Sequence, residues 1–347
     1  MTFLEQLWAI ARNTFRECVR QPVVLVVLTA GVLLIVLSIP FSGFTLMDDQ
    51  RMFVDIALST IFVAGTILAA FLATSAITRE IDNRTVLTVV SKPVSRPIFV
   101  WGKFLGVSAA LTATTLFLAF VFMLVNQHGT MPTVATPYHF PVLVIGLTAL
   151  GATVAAAIWC NYFYGWSFPA AMLGFGVPLL GLASMLTLLF DKDWTPVNPV
   201  EKFPGNLWLA VILMWMGLVA MSGIAIAAST RFGQVVTLGI TFAFFLLGLM
   251  SDWLIARRLK DLSDMFGRMT ADGVQQAGTD WNHVQYGLLK AAYAVVPNFQ
   301  VFWLSDAVQQ KRAIPGTYML EASAYGMLAV VASLSIATML FQRREVG

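Results

Sequence analysis

Apolar runs of spanning length recur along the whole chain, and polar positions collect between them. The runs are Val23–Gly43, Phe53–Ile77, Phe104–Val125, Phe140–Cys160, Trp166–Phe190, Trp208–Ala228, Gln234–Leu254 and Thr317–Phe341. A hydrocarbon core about 30 Å thick takes roughly 20 apolar residues in helical form. The pattern therefore predicts an all-α fold, a polytopic membrane helix bundle of about eight transmembrane helices. Thr2–Arg20 follows a different pattern. At about 100° per residue, Leu4, Leu7, Trp8, Ala11, Phe15, Cys18 and Val19 share one face, and Arg12, Arg16 and Arg20 run beside it at i, i+4 spacing. That is an interfacial helix over 1–22, with an apolar face for acyl chains and three arginines as contacts to the membrane surface. Thr2 and Glu5 have the spacing of a capping box. The transmembrane domain is then 23–347.

A charged, proline-punctuated interruption between the second and third runs reads "TREIDNRTVLTVVSKPVSRPIFVWGKFLG", Thr78 to Gly106. Ile77, Ile81, Val86, Val89 and Val90 can cover one side of a helix, with Arg79, Glu80, Asp82, Asn83 and Arg84 pointing elsewhere. Pro93 ends that helix, because the residue before a proline is pushed out of the α region. Ser95 is placed to cap a new one with Pro97 in its first turn, leading through Trp101 and Lys103 into the third span. The expected shape is a helix, a sharp corner and a second helix over 78–103.

Charge distribution orients the bundle. Counting from a cytoplasmic start places Arg12, Arg16, Arg20, Arg79, Arg84, Lys92, Arg96, Lys103, Arg231, Arg343 and Arg344 inside, against Arg51, Lys192 and Lys202 in the short outer loops. An even number of crossings with both termini cytoplasmic follows. Arg257, Arg258 and Lys260 fall outside, in a connection (255–316) long enough to escape the rule. Within it, "HVQYGLLKAAYAVVPNFQVFWLSDA" is interrupted by Lys290, Pro297, Asn298 and Gln300. It is expected to form short external helices that dip into the outer leaflet.

Composition agrees. Of 347 residues 58% are hydrophobic and 11% charged, where soluble domains carry roughly 25% charged residues. A net charge of +3 spread over the segment ends gives no nucleic-acid face. Cys18 and Cys160 form neither a disulfide framework nor a metal spacing. The first apolar run is too long and too late for a cleaved signal and reads as a retained anchor.

The 78–106 stretch resembles the signature of permease subunits of type-2 ATP-binding cassette (ABC) exporters. Glu80, Arg84, Thr85, Val86, Ser91, Pro93, Val94, Ser95, Arg96, Gly102 and Lys103 carry the match. The amphipathic start is similar to that family's elbow helix, Ser229–Gly248 to its connection between two late helices, and the stretch around "VVPNFQVFWLSDA" with the closing "FQRREVG" to its last segment. The family commonly has six spans, and the pair from Phe140 to Phe190 has no counterpart in that pattern. The resemblance implies that the corner is a cytoplasmic coupling helix. Arg79, Glu80, Asp82, Asn83, Arg84, Thr85, Lys92, Pro93 and Arg96 would then contact a separate ABC ATPase subunit, which carries ATP and Mg. It further implies a second permease copy, the lipid bilayer of the cytoplasmic (inner) membrane as surroundings, and no cofactor bound by this chain.

No GxxxxGK[ST] loop occurs in the sequence, and Gly102-Lys103 lacks both the upstream glycine and the following Ser/Thr. The chain is not an enzyme by that route. Asp55 and Asp252 fall at outer ends of spans, and His128, His139 and Met131 lie externally without a tight ligand spacing. A secondary transporter driven by an ion gradient is the alternative. It would show broken helices at mid-membrane, for which Pro169, Gly174, Gly176, Pro178 and Gly181 in the fifth span are the footing, although helix packing explains them as well.

Overall fold

A computed structural model of the chain describes residues 2–43, 48–82, 95–130, 138–271, 280–310 and 313–342; side chains at 78–82, 267–271 and 280 are not among those described. The helices are α1 (Phe3–Val19), α2 (Pro22–Ser42), α3 (Asp49–Asp82), α4 (Arg96–His128), α5 (Phe140–Tyr164), α6 (Phe168–Thr187), α7 (Pro199–Lys202), α8 (Gly205–Ser229), α9 (Gln234–Ser251), α10 (Arg257–Ala271), α11 (Asp280–Val295), α12 (Ser305–Gln309) and α13 (Gly316–Gln342). Among the described residues eight helices are long and apolar enough to cross a membrane: α2 to α6, α8, α9 and α13. These are the eight expected spans.

α3, α4 and α8 form the centre, with 72%, 67% and 67% of their spanning windows buried against 17% for α5. Helix association in lipid relies on packing and internal hydrogen bonding, since lipid tails are as apolar as leucine. The hydroxyls buried in α3 follow that rule. Thr60, Thr66 and Thr74 donate to the carbonyls of Ile56, Phe62 and Ala70 at 2.7, 2.9 and 2.7 Å, so no hydroxyl there is left without an acceptor. α5 and α6 pair with each other and lean on α4 at the edge of the bundle. Gly165, left-handed at φ 66°, closes α5 and turns the chain into α6.

The proline- and glycine-rich fifth span is one continuous helix, α6. Pro169 lies in its first turn, where no helical N–H is lost. A Cβ at Gly176 would sit 2.3 Å from the ring of Phe117, so this glycine admits a large α4 side chain. A Cβ at Gly181 would likewise meet the Phe120 ring at 3.1 Å, so both glycines are packing positions.

α1 and the end of α13 lie beside the start of α4, so the two termini share the end of the bundle that carries the α3–α4 connection; this is called the corner end below. At the opposite end α9 runs on through a π turn at Asp252–Ala256 into α10, past the limit expected for the seventh span. The chain returns through α11, a 3-10 turn at Phe299–Phe302, and α12. Two carboxylates hold this segment. Asp252 accepts from Tyr293 Oη at 3.0 Å and Asn298 Nδ2 at 2.8 Å. Asp55 accepts from Ser305 Oγ and Gln309 Nε2.

Phe299 and Phe302, 0% and 1% exposed, enter the bundle. A Cβ at Gly248 would lie 2.3 Å from the Phe299 ring and 2.6 Å from the Pro297 carbonyl oxygen, while one at Gly217 or Gly326 would lie 3.1 or 3.2 Å from the Phe302 ring. Gly217 is twelve residues beyond Gly205 at the start of α8, about 18 Å along the axis. The two rings form an aromatic wedge seated in glycines of three different helices.

Candidate functional site

The candidate site is the connection between α3 and α4; the corner expected there, at 83–94, lies outside the described residues, and the name is kept for this connection. Both legs are long, 34 and 33 residues, or about 50 Å each, against a hydrocarbon core of about 30 Å. Arg79, Glu80 and Asp82 lie in the last turn of α3, with their side chains outside the described residues; Asn83, Arg84, Thr85, Lys92 and Pro93 are outside them altogether, as are Val86, Val89 and Val90. Arg96 is the first residue of α4. Ser95 occupies the N-cap position as expected, with extended backbone, but its side chain makes no capping bond.

The start of α4 is tied to both ends of the chain. Arg96 Nη1 donates to the carbonyl of Gln342, the last residue of α13, where a cation meets the negative end of the helix dipole. One turn on, Phe99 stacks on Phe341 with ring centroids 5.5 Å apart and planes 16° from parallel. Gly102 and Gly106 then face α1. A Cβ at Gly106 would lie 2.5 Å from Thr14 Cβ and 2.7 Å from the Ala11 carbonyl oxygen, and one at Gly102 would lie 2.7 Å from Ile10 Cγ2. These two positions form a GxxxG pair that lets two helix backbones approach. The other leg is held too, since Gln21 Nε2, just after α1, donates to Ser75 Oγ of α3.

This arrangement divides the apolar face of α1. Ala11, Thr14, Cys18 and Val19 are buried, and Leu7 and Phe15 are half-buried, while Leu4 and Trp8 stay exposed at 71% and 70%. The half of the face nearest α2 packs on protein, where acyl chains had been expected. Arg12, Arg16 and Arg20 are exposed.

Lys103 sits inside this junction, 1% exposed. Its Nζ is 3.8 Å from Glu17 Oε2 and lies 5.5 Å from the centre of the Phe99 ring. Cys18, fully buried beside it, has its thiol pushed up to about 12, chiefly by burial; the Lys103 charge opposes that shift and Glu17 adds to it. The Glu17 side chain is half exposed, so it keeps water if its partner is removed. Lys103→Met is therefore expected to change stability by less than about 1 kcal/mol, because the stem still packs and a buried charge is gone. Lys103→Ala, which also deletes the stem, should cost about 2 kcal/mol more. Thermal unfolding of the two purified variants in detergent checks the order.

Sequence reasoning placed Lys103 in the family pattern but missed its burial and its Glu17 partner. It also missed the Gly102–Gly106 approach, which the GxxxG spacing in an apolar helix could have flagged. Among the described residues no group of three His, Cys, Asp or Glu is placed to hold a metal ion. His139 is buried before the first turn of α5, and burial holds its imidazole below the usual range, with Lys202 adding to the effect and Asp191 opposing it.

Residues 8–163 match a family model described as ABC-2 family transporter protein. The matched stretch runs from within α1, past the α3–α4 connection, to the last turn of α5, and is consistent with a membrane subunit of an ABC-2 type transporter. No curated protein matches the chain. The match takes in α5, half of the helix pair that the sequence pattern left without a counterpart; the likenesses at Ser229–Gly248 and at the C-terminal end fall outside it.

Proposed function

We propose that the chain is the permease subunit of an ATP-driven exporter in the cytoplasmic membrane. In this reading its corner faces the cytoplasm and is gripped by a separate ATPase subunit, which binds ATP and Mg. Two permeases and two ATPases form the working unit. Closure of the ATPase pair on ATP pushes the corner, and the push reaches the spanning helices as a rigid-body shear or hinge movement of packed elements.

The observation that carries this reading is the clamp at the start of α4. Arg96 and Phe99 on α13, Gly102 and Gly106 on α1, and Gln21 on Ser75 of α3 mean that displacement of the corner moves four helices together. A merely charge-rich connection has no need of such bracing. The cation excess at the same end of the bundle supports a cytoplasmic orientation, with both termini inside. Glu80, Asp82 and Arg84 supply polar contacts to the ATPase, and Val86, Val89 and Val90 apolar ones.

Replacing Glu80 and Arg84 together by glutamine tests this. Membrane insertion should be unchanged, whereas the ATPase subunit recovered with the tagged permease should fall at least tenfold, as expected for loss of two charged contacts at an interface. Recovery at the wild-type level would refute the assignment of these residues.

A further inference from the structure

A cavity of about 910 Å³ lies between α4 and α6 under the end of α1, within the range of about 300–1,000 Å³ in which small molecules are held. Its two ends differ in chemistry. At the corner end it is lined by Arg20, which follows α1, by Asn161 near the end of α5, and by Ser167, the N-cap of α6. Deeper, the lining is Leu116 of α4 with Leu173 and Val177 of α6. Ser167 to Val177 is ten residues of helix, about 15 Å, which is the depth of one leaflet of a core about 30 Å thick.

Polar groups at the shallow end are prepared for an anion that the protein does not supply. Ser167 Oγ is buried without a hydrogen-bond partner, which is costly unless a ligand or water satisfies it. Its backbone carbonyl is already used by Ala171 N. The first turn of α6, a 20-residue helix, opens beside it and favours negative charge. Arg20 adds a full positive charge. Thr112, a further lining hydroxyl, accepts from Trp215 Nε1 at 2.9 Å and so is occupied. Space is left on the apolar wall as well, for a Cβ built at Gly174 meets nothing within 4 Å.

We propose that this cavity holds one anionic phospholipid from the leaflet at the corner end. Its headgroup phosphate lies against Arg20, the Ser167 hydroxyl and the first turn of α6, and an acyl chain runs along Leu116, Leu173 and Val177. Charge complementarity sets the headgroup, and the depth of the apolar wall sets the chain. The lipid joins α1 to the α5–α6 pair, which otherwise lies at the edge of the bundle. The site is independent of the transport reading above, since it rests on the cavity alone.

Native mass spectrometry of the full chain in neutral detergent, titrated with phosphatidylglycerol or phosphatidylcholine, tests it. Wild type should bind one phosphatidylglycerol in preference to phosphatidylcholine. Arg20→Gln should weaken phosphatidylglycerol roughly tenfold, the loss of one charged hydrogen bond, and bring the two lipids close to parity. Gly174→Leu adds apolar bulk to this wall from a position where a Cβ meets nothing within 4 Å, so it should abolish the tight site while unfolding no earlier than wild type in the absence of lipid. Equal binding of both lipids by wild type, or undiminished phosphatidylglycerol binding by both variants, overturns the proposal. A change of oligomeric mass in Gly174→Leu with lipid binding intact also overturns it, and assigns the groove to a second copy of the chain.

Discussion

Gly106→Val should pull α1 off the bundle and expose Cys18. The added branched side chain starts 2.5 Å from Thr14 Cβ and 2.7 Å from the Ala11 carbonyl oxygen. The second contact is with backbone, so no rotamer change relieves it, and α1 must move as a body. Gly102→Ala meets only the Ile10 side chain first, at 2.7 Å, and should be milder. Overpacking of this kind typically costs about 1–3 kcal/mol, comparable to what holds an interfacial helix in place. The readout is the buried thiol. Its pKa is raised from 9.0 to about 12, which leaves roughly a thousandfold less thiolate at neutral pH than in a free cysteine. In a Cys160→Ser background, maleimide labelling of Cys18 should therefore be negligible in the parent and faster by two to three orders of magnitude in Gly106→Val. Equal labelling in the two would show that α1 does not depend on the glycine approach. Transport should fall in parallel, because the brace between the two legs of the corner is gone.

The second large effect is at the other end. Phe302→Ala removes a ring that is 1% exposed and seated against Gly217 of α8 and Gly326 of α13. Neither glycine can fill the space, so the cost should be near the upper part of the usual range for such truncations, about 3–5 kcal/mol. Gly217→Ala alone should also destabilise, since its Cβ meets the ring at 3.1 Å. Combined with Phe302→Ala the same substitution meets no ring and partly refills the gap. The double variant should thus be more stable than additivity allows, by about 1 kcal/mol or more. Unfolding curves of the four proteins in one detergent give the cycle, and strict additivity would mean that Phe302 does not occupy this socket. Limited proteolysis of 280–310 should report the same ranking, because Phe302, Asp55 and Asp252 anchor that segment together.

Hydropathy made the spans legible because each has to satisfy the same thickness of lipid, so every apolar run of about 20 residues became a helix. The proline and capping signals at Thr2, Ser95 and Pro97 placed the starts of α1 and α4 for equally local reasons. Packing partners were less accessible. Leu4 and Ala11 lie on one helical face by periodicity, yet the first is exposed and the second buried, because only the second meets the glycine pair of α4. The wedge of Phe299 and Phe302 depends on Gly217, Gly248 and Gly326, which are far apart in sequence and belong to three helices. Nothing local marks them as one socket. Lys103 had the same difficulty, for its burial depends on α1 folding back over it and its stem lying by Phe99. The contacts proposed at 83–94 rest on the sequence pattern, whereas the bracing of α4 by α1 and α13 could be read only from the structure.

Transmission through the corner requires a grip at its tip, and that is directly measurable. A photo-reactive amino acid placed at Arg84 in cells expressing the chain with its genomic neighbours should, on illumination, yield an adduct whose second component is a polypeptide bearing a GxxxxGK[ST] loop, and the yield should depend on nucleotide. Absence of any such adduct from position 84, together with labelling of a cysteine at Lys92 by a membrane-impermeant reagent added from outside, would place the corner on the wrong side of the membrane and contradict the account.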